Sequence, residues 1–216
     1  RLNTDLTNLR VARLQYMIAN GDDAAAANTL AKLETFSAQQ QHLESTFKSP
    51  ENLKLLRELG KIIADYRISL DKMRAGYKIT LAARETLDQN AAKAIQLIET
   101  ISKDVLARDE SDATRLQQYL VISKARQQLT QLRLDVRSYV AAPSDVAEQA
   151  VLRQLQQTFT EIDGLKRQLT GDGAAIEQFE GAVRAYGESV RQLSASTAQI
   201  AVSRQEMTVQ GGDIVK

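Results

Sequence analysis

A long seam between Pro50 and Arg108, which contains no further proline, constrains the fold more than any other feature of the chain. Its members follow one another in alternating steps of three and four residues: Leu56, Leu59, Ile63, Tyr66, Leu70, Met73, Tyr77, Thr80, Arg84, Leu87, Ala91, Ala94, Ile98, Ile101 and Val105. Such heptad spacing favours left-handed packing in helical bundles. At a rise of about 1.5 Å per residue, the predicted helix 51–108 is about 85 Å long. A helix of that length needs other helices to cover its apolar side.

Glycine, proline and capping residues divide the rest of the chain into helices. Asn20-Gly21-Asp22 combines a helix stop with an Asp N-cap, and Ser49-Pro50-Glu51 places proline in the first helical turn. Similar breaks fall at 109–112, 142–145 and 170–172. The residues between the breaks are mostly good helix formers. We therefore predict an all-α fold of six helices, two long and four short: 2–20, 23–48, 51–108, 112–141, 145–169 and 173–210.

Two segments of the chain match each other without a gap at a distance of 123 positions. The match begins with Leu6-Thr7 and Leu9-Arg10, aligned with Leu129-Thr130 and Leu132-Arg133. It continues through Tyr16/Tyr139, Ala19/Ala142, Asp22/Asp145, Ala24/Ala147, Ala27/Ala150, Thr35/Thr158 and Phe36/Phe159. Self-similarity at a fixed distance indicates a duplicated structural unit. The repeat predicts two similar helical hairpins, one from helices one and two, the other from helices four and five.

The helix lengths and the repeat together predict two stacked four-helix bundles that share the long third and sixth helices, since short connections make neighbouring helices antiparallel. Both chain ends then emerge at the same end of the molecule. That arrangement fits an insert outside the cytoplasm, between two membrane spans, better than a free-standing bundle. The chain starts at Arg1 instead of an initiator Met, so we expect it to be a piece of a longer protein.

Composition argues against several classes of function. The 28 basic and 27 acidic residues give a net charge of +1, so no basic patch predicts nucleic-acid binding. The chain has no cysteine, which removes thiol nucleophiles and the usual zinc sites. His42 stands alone in a Gln-rich stretch and is interpreted as a surface residue, and no phosphate-binding loop or catalytic triad pattern is present. The sequence predicts no enzyme, no cofactor and no metal site.

Arg10 and Arg13 lie one turn apart, so both project from one face of the first helix. Leu6, Leu9, Leu14 and Met17 place the pair beside the apolar stripe. Two guanidinium groups on one face suit a carboxylate or a dicarboxylate, because each can donate two parallel hydrogen bonds. The alternative is a pair of solvated arginines at a helix edge.

Arg204 and Thr208 share a face of the sixth helix. Counting from the chain ends brings them level with the arginine pair of the first helix. When residues are counted from the opposite loops instead, at a rise of about 1.5 Å each, Arg204 lies about two turns above the arginine pair.

The second hairpin carries a related set. Arg133 occupies the repeat position of Arg10, and Arg137 follows one turn later. By residue counting Arg84 falls at nearly the same level, and Tyr186 falls near it on the sixth helix. A phenol beside an arginine suits a small monocarboxylate. Alternatively, Asp88 or Asp135 neutralises these arginines in a purely structural role, since a buried arginine without an anion is costly.

These residues make the chain resemble the helical bimodular sensor domains of bacterial methyl-accepting chemotaxis receptors, in particular those for organic acids of the tricarboxylic acid cycle. The resemblance is carried by Leu9-Arg10-x-x-Arg13, by Arg204-x-x-x-Thr208, by Arg133 and by Tyr186, together with the helix lengths, and it covers essentially the whole chain. It implies one bimodular domain over residues 1–216. The membrane-proximal module would comprise about 1–80 plus 198–216 and the membrane-distal module about 81–197.

The resemblance also implies a ligand for each module. The proximal module would bind C4 dicarboxylates such as malate, succinate and fumarate through Arg10, Arg13, Arg204 and Thr208. The distal module would bind a small monocarboxylate such as acetate through Arg133 and Tyr186, with Arg84 and Arg137 as further candidates. Val136 takes the repeat position of Arg13, so the two sites are expected to differ in anion-binding capacity.

The resemblance further implies a homodimeric periplasmic domain of an inner-membrane protein that signals to cytoplasmic partners in chemotaxis. Two alternatives remain at this stage. One is a structural or adaptor bundle, and the other is the sensor domain of a histidine kinase.

Overall fold

The computed structural model describes residues 2–109 and 111–214, and within them the chain forms six α-helices and one short 3-10 turn. The helices are α1 (Leu2–Ile18), α2 (Asp23–Thr46), α3 (Pro50–Leu106), α4 (Asp112–Ala141), α5 (Asp145–Gln168) and α6 (Gly173–Asp213), and the 3-10 turn is Thr170–Asp172. The predicted all-α class with two long and four shorter helices is confirmed. No helix of the described part of the chain is both long enough and apolar enough to cross a membrane.

The chain divides into two compact units. Unit 1 comprises Arg1–Leu81 and Ala195–Lys216, and unit 2 comprises Ala82–Ser194. Each unit therefore contains one helical hairpin, one segment of α3 and one segment of α6.

The core of unit 1 forms where the α1–α2 hairpin packs on α3 and α6. Its largest fully buried side chains come from all of the first three helices: Leu9, Tyr16, Leu33, Phe36, Tyr66 and Met73. Met207 adds a fully buried side chain from α6. Burial of these apolar surfaces supplies most of the stabilising free energy of such a bundle.

The turn between α1 and α2 depends on Gly21. Asn20 and Gly21 have φ values of 49° and 91°, and Asp22 then caps α2 by accepting a hydrogen bond of 2.8 Å from the backbone N–H of Ala25. A Cβ atom on Gly21 would lie 2.5 Å from the Cβ of Tyr77 in α3. Glycine is therefore required both for the left-handed backbone and for the close packing.

Unit 2 has a separate core between α4, α5 and its segments of α3 and α6. Fully buried members are Ala94, Ala125, Leu132, Val151, Leu165, Ile176, Phe179 and Val183. The α4–α5 turn contains Pro143 and ends at Ser144, which caps α5 by accepting a hydrogen bond of 3.3 Å from the N–H of Ala147. No residue of this turn has a positive φ.

The repeat holds in the structure only when one residue is skipped at the turn. In α1 and α4 the buried pairs Leu6/Leu129, Leu9/Leu132 and Tyr16/Tyr139 keep the offset of 123. In α2 and α5 the buried positions differ by 122: Thr29/Val151, Leu33/Leu155, Phe36/Thr158 and Gln40/Ile162.

The ungapped alignment is therefore wrong beyond the turn. Thr35 is exposed whereas Thr158 is fully buried, and Asp22 corresponds to the cap Ser144 and not to Asp145. The physical reason is that the α4–α5 turn is one residue shorter than the α1–α2 turn.

One member of the predicted seam is also wrong. Ala83 is 1% exposed and occupies the core position, whereas Arg84 is exposed beside it. A straight helix drifts relative to a strict seven-residue pattern, so the buried face moves by one residue along a long helix. A small apolar residue then fills the core and the guanidinium stays at the surface.

Candidate functional site

In unit 1, the antiparallel packing of α1 on α6 brings three of the predicted site residues together. The Nη1 atom of Arg13 donates a hydrogen bond of 3.5 Å to the hydroxyl of Thr208. Arg10, one turn earlier on α1, donates through Nη2 to the backbone carbonyl of Gly211, which lies about one turn later on α6. Both arginines are half-buried in this groove between the two helices.

Arg204, the fourth predicted residue, lies on α6 one turn before Thr208 but contacts α3. Its Nη2 atom donates to the hydroxyl of Tyr77, and its guanidinium carbon lies 5.8 Å from the centre of that ring. Thr208 in turn donates to the backbone carbonyl of Arg204 at 2.8 Å. The structure thus links all four residues through α6, with Arg204 held by a tyrosine that the sequence analysis had assigned only to the core seam.

None of Arg10, Arg13 and Arg204 forms an ion pair with a carboxylate of the described residues. The Nε atoms of Arg13 and Arg204 are buried and donate to no described acceptor. Two other arginines of the same unit do pair with carboxylates: Arg57 with Glu44, and Arg74, whose Nε is also buried without a described acceptor, with Asp23. Because unpaired buried donors are costly, the cluster is suited to an added anion.

The acidic residue nearest in sequence to this cluster, Glu206, is engaged elsewhere. It accepts a hydrogen bond of 3.0 Å from Ser69 and lies 3.8 Å from the ammonium of Lys72, both on α3. Gln210 completes the group by donating to Ser69 at 3.2 Å. Glu206 therefore faces α3 and leaves the guanidinium groups without a carboxylate partner.

Tyr66 is a candidate that the sequence analysis missed, because a tyrosine in a heptad seam is interpreted as core. Its side chain is 1% exposed, and its hydroxyl forms no well-aligned hydrogen bond with a described residue, although the Arg13 side chain lies close enough to act on it as a donor. Burial raises its pKa to about 12, although the neighbouring Arg13 and Arg10 act in the opposite direction. The phenol is thus protonated beside both arginines of α1, and its O–H donates to no described acceptor. The available signal was a polar hydroxyl in an otherwise aliphatic part of the seam.

In unit 2, the predicted residues line two adjoining cavities. A cavity of about 270 Å³ is bordered by Arg133 and Arg137 from α4 and by Tyr186 from α6, over an apolar wall of α3 that includes Ala91 and Ile95. A second cavity of about 220 Å³ is bordered by Arg84, Arg137, Val136, Val140 and Ala141. Leu87, Asp88 and Arg137 border both. The structure therefore brings Arg133, Arg137 and Tyr186 together and places Arg84 in the adjoining cavity.

Tyr186 is 1% exposed, and burial raises its pKa to about 12. Arg133 and Arg137 lower that pKa and Asp88 raises it, so all three charges act at the phenol. Since the phenol stays protonated at neutral pH, it can donate a hydrogen bond to an anion beside Arg133.

The structural alternative for these arginines was neutralisation by Asp88 or Asp135. Among the described residues, Arg84, Arg133 and Arg137 form no ion pair and no hydrogen bond, and Asp88 likewise has no such partner. Asp135 instead accepts a hydrogen bond of 2.9 Å from Gln131 on its own helix. The arginines of unit 2 are therefore available to a ligand.

Among the described residues, histidine and metal chemistry adds no further candidate site. His42 is exposed, as expected, and its backbone carbonyl accepts hydrogen bonds from Ser45 and Thr46. In residues 2–109 and 111–214, no group of three or more His, Asp or Glu side chains could hold a metal ion.

Comparison with known proteins shows the family of the chain. The family model of the helical bimodular sensor domain matches residues 1–216. The chain is 59% identical over 216 residues to the methyl-accepting chemotaxis protein McpS of Pseudomonas putida, covering 100% of this chain and 34% of that protein. It is 24% identical over 204 residues to McpQ of Pseudomonas putida, covering 94% of this chain and 31% of McpQ. It is 29% identical over 157 residues to McpK of Pseudomonas aeruginosa, covering 71% of this chain and 24% of McpK. McpQ and McpK are also methyl-accepting chemotaxis proteins, and the chain spans about a third of the length of McpS and less of the other two.

Proposed function

Because the chain belongs to the helical bimodular sensor domain family, we propose that it is the ligand-binding part of a methyl-accepting chemotaxis receptor. In this proposal the domain lies in the periplasm, is held by an inner-membrane protein, and acts as a homodimer that signals to cytoplasmic partners. Three relatives that are methyl-accepting chemotaxis proteins support this choice over a structural bundle or the sensor of a histidine kinase.

Unit 1 is proposed to be the membrane-proximal module and to bind C4 dicarboxylates such as malate, succinate or fumarate. The observation that carries this proposal is the group of three arginines, Arg10, Arg13 and Arg204, which has no carboxylate partner among the described residues. Two carboxylates would satisfy guanidinium donors from both α1 and α6, with Thr208 as a neutral partner. Tyr66 would donate from α3.

Unit 2 is proposed to be the membrane-distal module and to bind a small monocarboxylate such as acetate. Arg133 and Tyr186 would both donate to the one carboxylate, while the apolar wall of α3 would contact the ligand's methyl group. Arg137 and Arg84 would raise the positive electrostatic potential around the ligand, and the two would not both contact it. Small ligand sites commonly combine such an apolar lining with a few convergent polar groups.

The proposed mechanism begins with contacts that the chain makes to itself. A dicarboxylate would compete with Gly211, Thr208 and Tyr77 for the guanidinium groups of unit 1. Exchange of these contacts would change the preferred placement of α6 against α1 and α3. A ligand shifts such an equilibrium only by the difference in its affinity for the two states.

Calorimetric titration of the domain with succinate, malate and acetate tests the proposal. We expect binding of all three, loss of succinate and malate binding in Arg10→Ala with acetate binding retained, and the reverse in Arg133→Ala. Truncation of one partner of a buried charged hydrogen bond costs about 2–5 kcal/mol, which is about thirtyfold or more in Kd.

Arg126→Ala serves as the matched control. Arg126 is an exposed arginine of α4 that pairs with Glu99 at 3.6 Å and borders neither of the two cavities that hold Arg133 and Arg137. Its titrations should equal those of the unchanged domain. If neither class of acid raises the melting temperature at millimolar concentration, the chain is a structural bundle and the proposal fails, because a ligand specific for the folded state must stabilise it.

A further inference from the structure

Asp88 is the feature of unit 2 that the proposed function leaves unexplained. It is the one carboxylate among the described residues that border the two adjoining cavities, and it borders both of them. Arg84 precedes it by one helical turn on α3, and Arg137 borders both cavities from α4. No described residue forms an ion pair or a hydrogen bond with the Asp88 carboxylate.

The size of the cavities does not explain a preference for a small monocarboxylate. The two cavities measure about 270 and 220 Å³ and share a wall, whereas sites for drug-sized ligands typically start at about 300 Å³. A C4 dicarboxylate is much smaller than a drug-sized molecule. The preference for monocarboxylates that is proposed for unit 2 is therefore attributed to charge.

The charges of the two units differ in one respect. In unit 2 the carboxylate of Asp88 borders the same cavities as three arginines, whereas no described carboxylate pairs with the three arginines of unit 1. Arg84, Arg133, Arg137 and Asp88 together carry a formal charge of +2. In unit 1, Glu206 faces Ser69 and Lys72, so the three arginines keep their full charge.

We propose that Asp88 restricts the unit 2 site to monocarboxylates, because its own carboxylate occupies the place that the second carboxylate of a dicarboxylate would need. This inference rests on the proposed function of unit 2. A bound acetate and Asp88 then stand as two separate carboxylates among three arginines. A succinate would bring a third carboxylate into contact with Asp88, and like charges at that range repel.

The test uses the domain with unit 1 silenced by Arg10→Ala and Arg204→Ala, so that any dicarboxylate binding reports unit 2. Acetate and succinate are titrated calorimetrically into this background and into the same background with Asp88→Asn. We expect succinate affinity to rise about tenfold in Asp88→Asn, and not more, because Asp88 is exposed and its field is screened. Acetate affinity should change by less than about threefold, because acetate carries no second carboxylate that Asp88 could repel.

Two further variants keep the outcome decisive. Asp88→Ala removes the same charge with a different shape and should gain succinate binding as well. Asp135→Asn removes a carboxylate of α4 that borders neither cavity and should leave both titrations unchanged. The gain should also shrink as salt is raised, because the repulsion that it removes is screened.

The results distinguish a failure of this inference about Asp88 from a failure of the proposed acetate site in unit 2. If acetate binds and Arg133→Ala abolishes that binding, but neither Asp88 variant gains succinate, Asp88 does not set selectivity and the inference is overturned. If acetate does not bind to the background protein at all, the proposed function of unit 2 fails first. If Asp135→Asn gains as much succinate binding as Asp88→Asn, the net charge of the domain and not the position of Asp88 explains the gain. That result would also overturn the inference.

Discussion

Units 1 and 2 use the same helical elements to hold arginines, but they hold them in different ways. In unit 1, Arg10, Arg13 and Arg204 donate to atoms of the chain itself, namely Gly211, Thr208 and Tyr77. In unit 2, the three arginines border cavities and donate to no described residue.

This contrast teaches how two sites on one scaffold can differ in their response to a ligand. A preformed cavity binds its ligand with little rearrangement, as most preorganised sites do. Internal contacts must be exchanged before a ligand can use the same donors. Ligand-driven movement is therefore expected mainly in unit 1, whose arginines connect α1, α3 and α6.

The turns of the two hairpins differ as well. Between α1 and α2 the chain needs Asn20 and Gly21 with positive φ, and Gly21 packs directly against Tyr77. Between α4 and α5 the turn is one residue shorter and has no positive φ. Since Tyr77 also holds Arg204, the α1–α2 turn is connected to the unit 1 site through one side chain.

The largest expected effect on stability comes from Gly21→Ala. A left-handed conformation costs a non-glycine residue about 1–2 kcal/mol, and overpacking against Tyr77 adds about 1–3 kcal/mol. We expect the free energy of unfolding to fall by about 2–5 kcal/mol, measured by guanidinium denaturation. Gly171→Ala is the matched control, since a Cβ atom there has no neighbour within 4 Å, and it should change stability by less than about 0.5 kcal/mol. Equal effects of the two variants would contradict the role given to the turn.

This turn also marks where sequence reasoning succeeds and where it stops. Gly21, Pro50 and Ser144 fix helix ends through local backbone chemistry, so the six helices could be predicted within a few residues. The one-residue difference between the turns could not, because alanine pairs on both sides allow an ungapped alignment to continue past it.

The site residues also divide into contacts that the sequence predicts and contacts that it does not. The pairing of Arg13 with Thr208 follows from an antiparallel helix pair, which helix lengths already predict. The contact of Arg204 with Tyr77 and the position of the Tyr66 hydroxyl depend on rotamers and on packing across α3. A heptad pattern treats both tyrosines as core and so conceals their polar ends.

A smaller effect is expected from Arg204→Lys, which keeps the charge but removes the planar fork. Lysine cannot donate two parallel hydrogen bonds to a carboxylate, so dicarboxylate affinity should fall by about 2 kcal/mol, roughly thirtyfold. Acetate binding in unit 2 should not change. Arg191→Lys is the control, because Arg191 is an exposed residue of α6 that pairs with Glu188 at 2.9 Å. Unchanged succinate affinity in Arg204→Lys would show that Arg204 acts only as a point charge.

Removal of the tyrosine hydroxyl should weaken the binding free energy of the ligand by about 1 kcal/mol in each unit. Tyr66→Phe should weaken dicarboxylate binding about fivefold with little effect on the stability of the unliganded domain, because the buried hydroxyl forms no well-aligned hydrogen bond with a described residue there. Tyr186→Phe should weaken acetate binding to a similar extent. Calorimetry and thermal melts measure the two quantities separately, and Tyr119→Phe, at a tyrosine 40% exposed, is the control. A loss of unliganded stability in Tyr66→Phe would assign that hydroxyl a structural role.

The smallest expected effect is that of pH on ligand binding. Burial raises the pKa of Tyr66 and of Tyr186 from 10.0 to about 12, so both phenols remain donors throughout the neutral range. The arginines remain charged there, and a ligand carboxylate is ionised above about pH 6. Calorimetry between about pH 6 and pH 9 should therefore give affinities within about twofold of each other for both ligands. A fall in affinity near pH 8 would require a titrating donor and would contradict the use of these phenols.

Stability should respond to pH only at more alkaline values. A raised pKa in the folded state means that the contribution of the group is fully present below the unfolded pKa of 10.0 and is lost as pH rises through about 12. Unit 1 contains two such tyrosines, Tyr16 and Tyr66, and unit 2 contains Tyr186. Limited proteolysis read by mass spectrometry should therefore detect opening of unit 1 at a lower pH than opening of unit 2. Tyr66→Phe should reduce that difference, because it removes one of the two groups whose ionisation favours the unfolded chain.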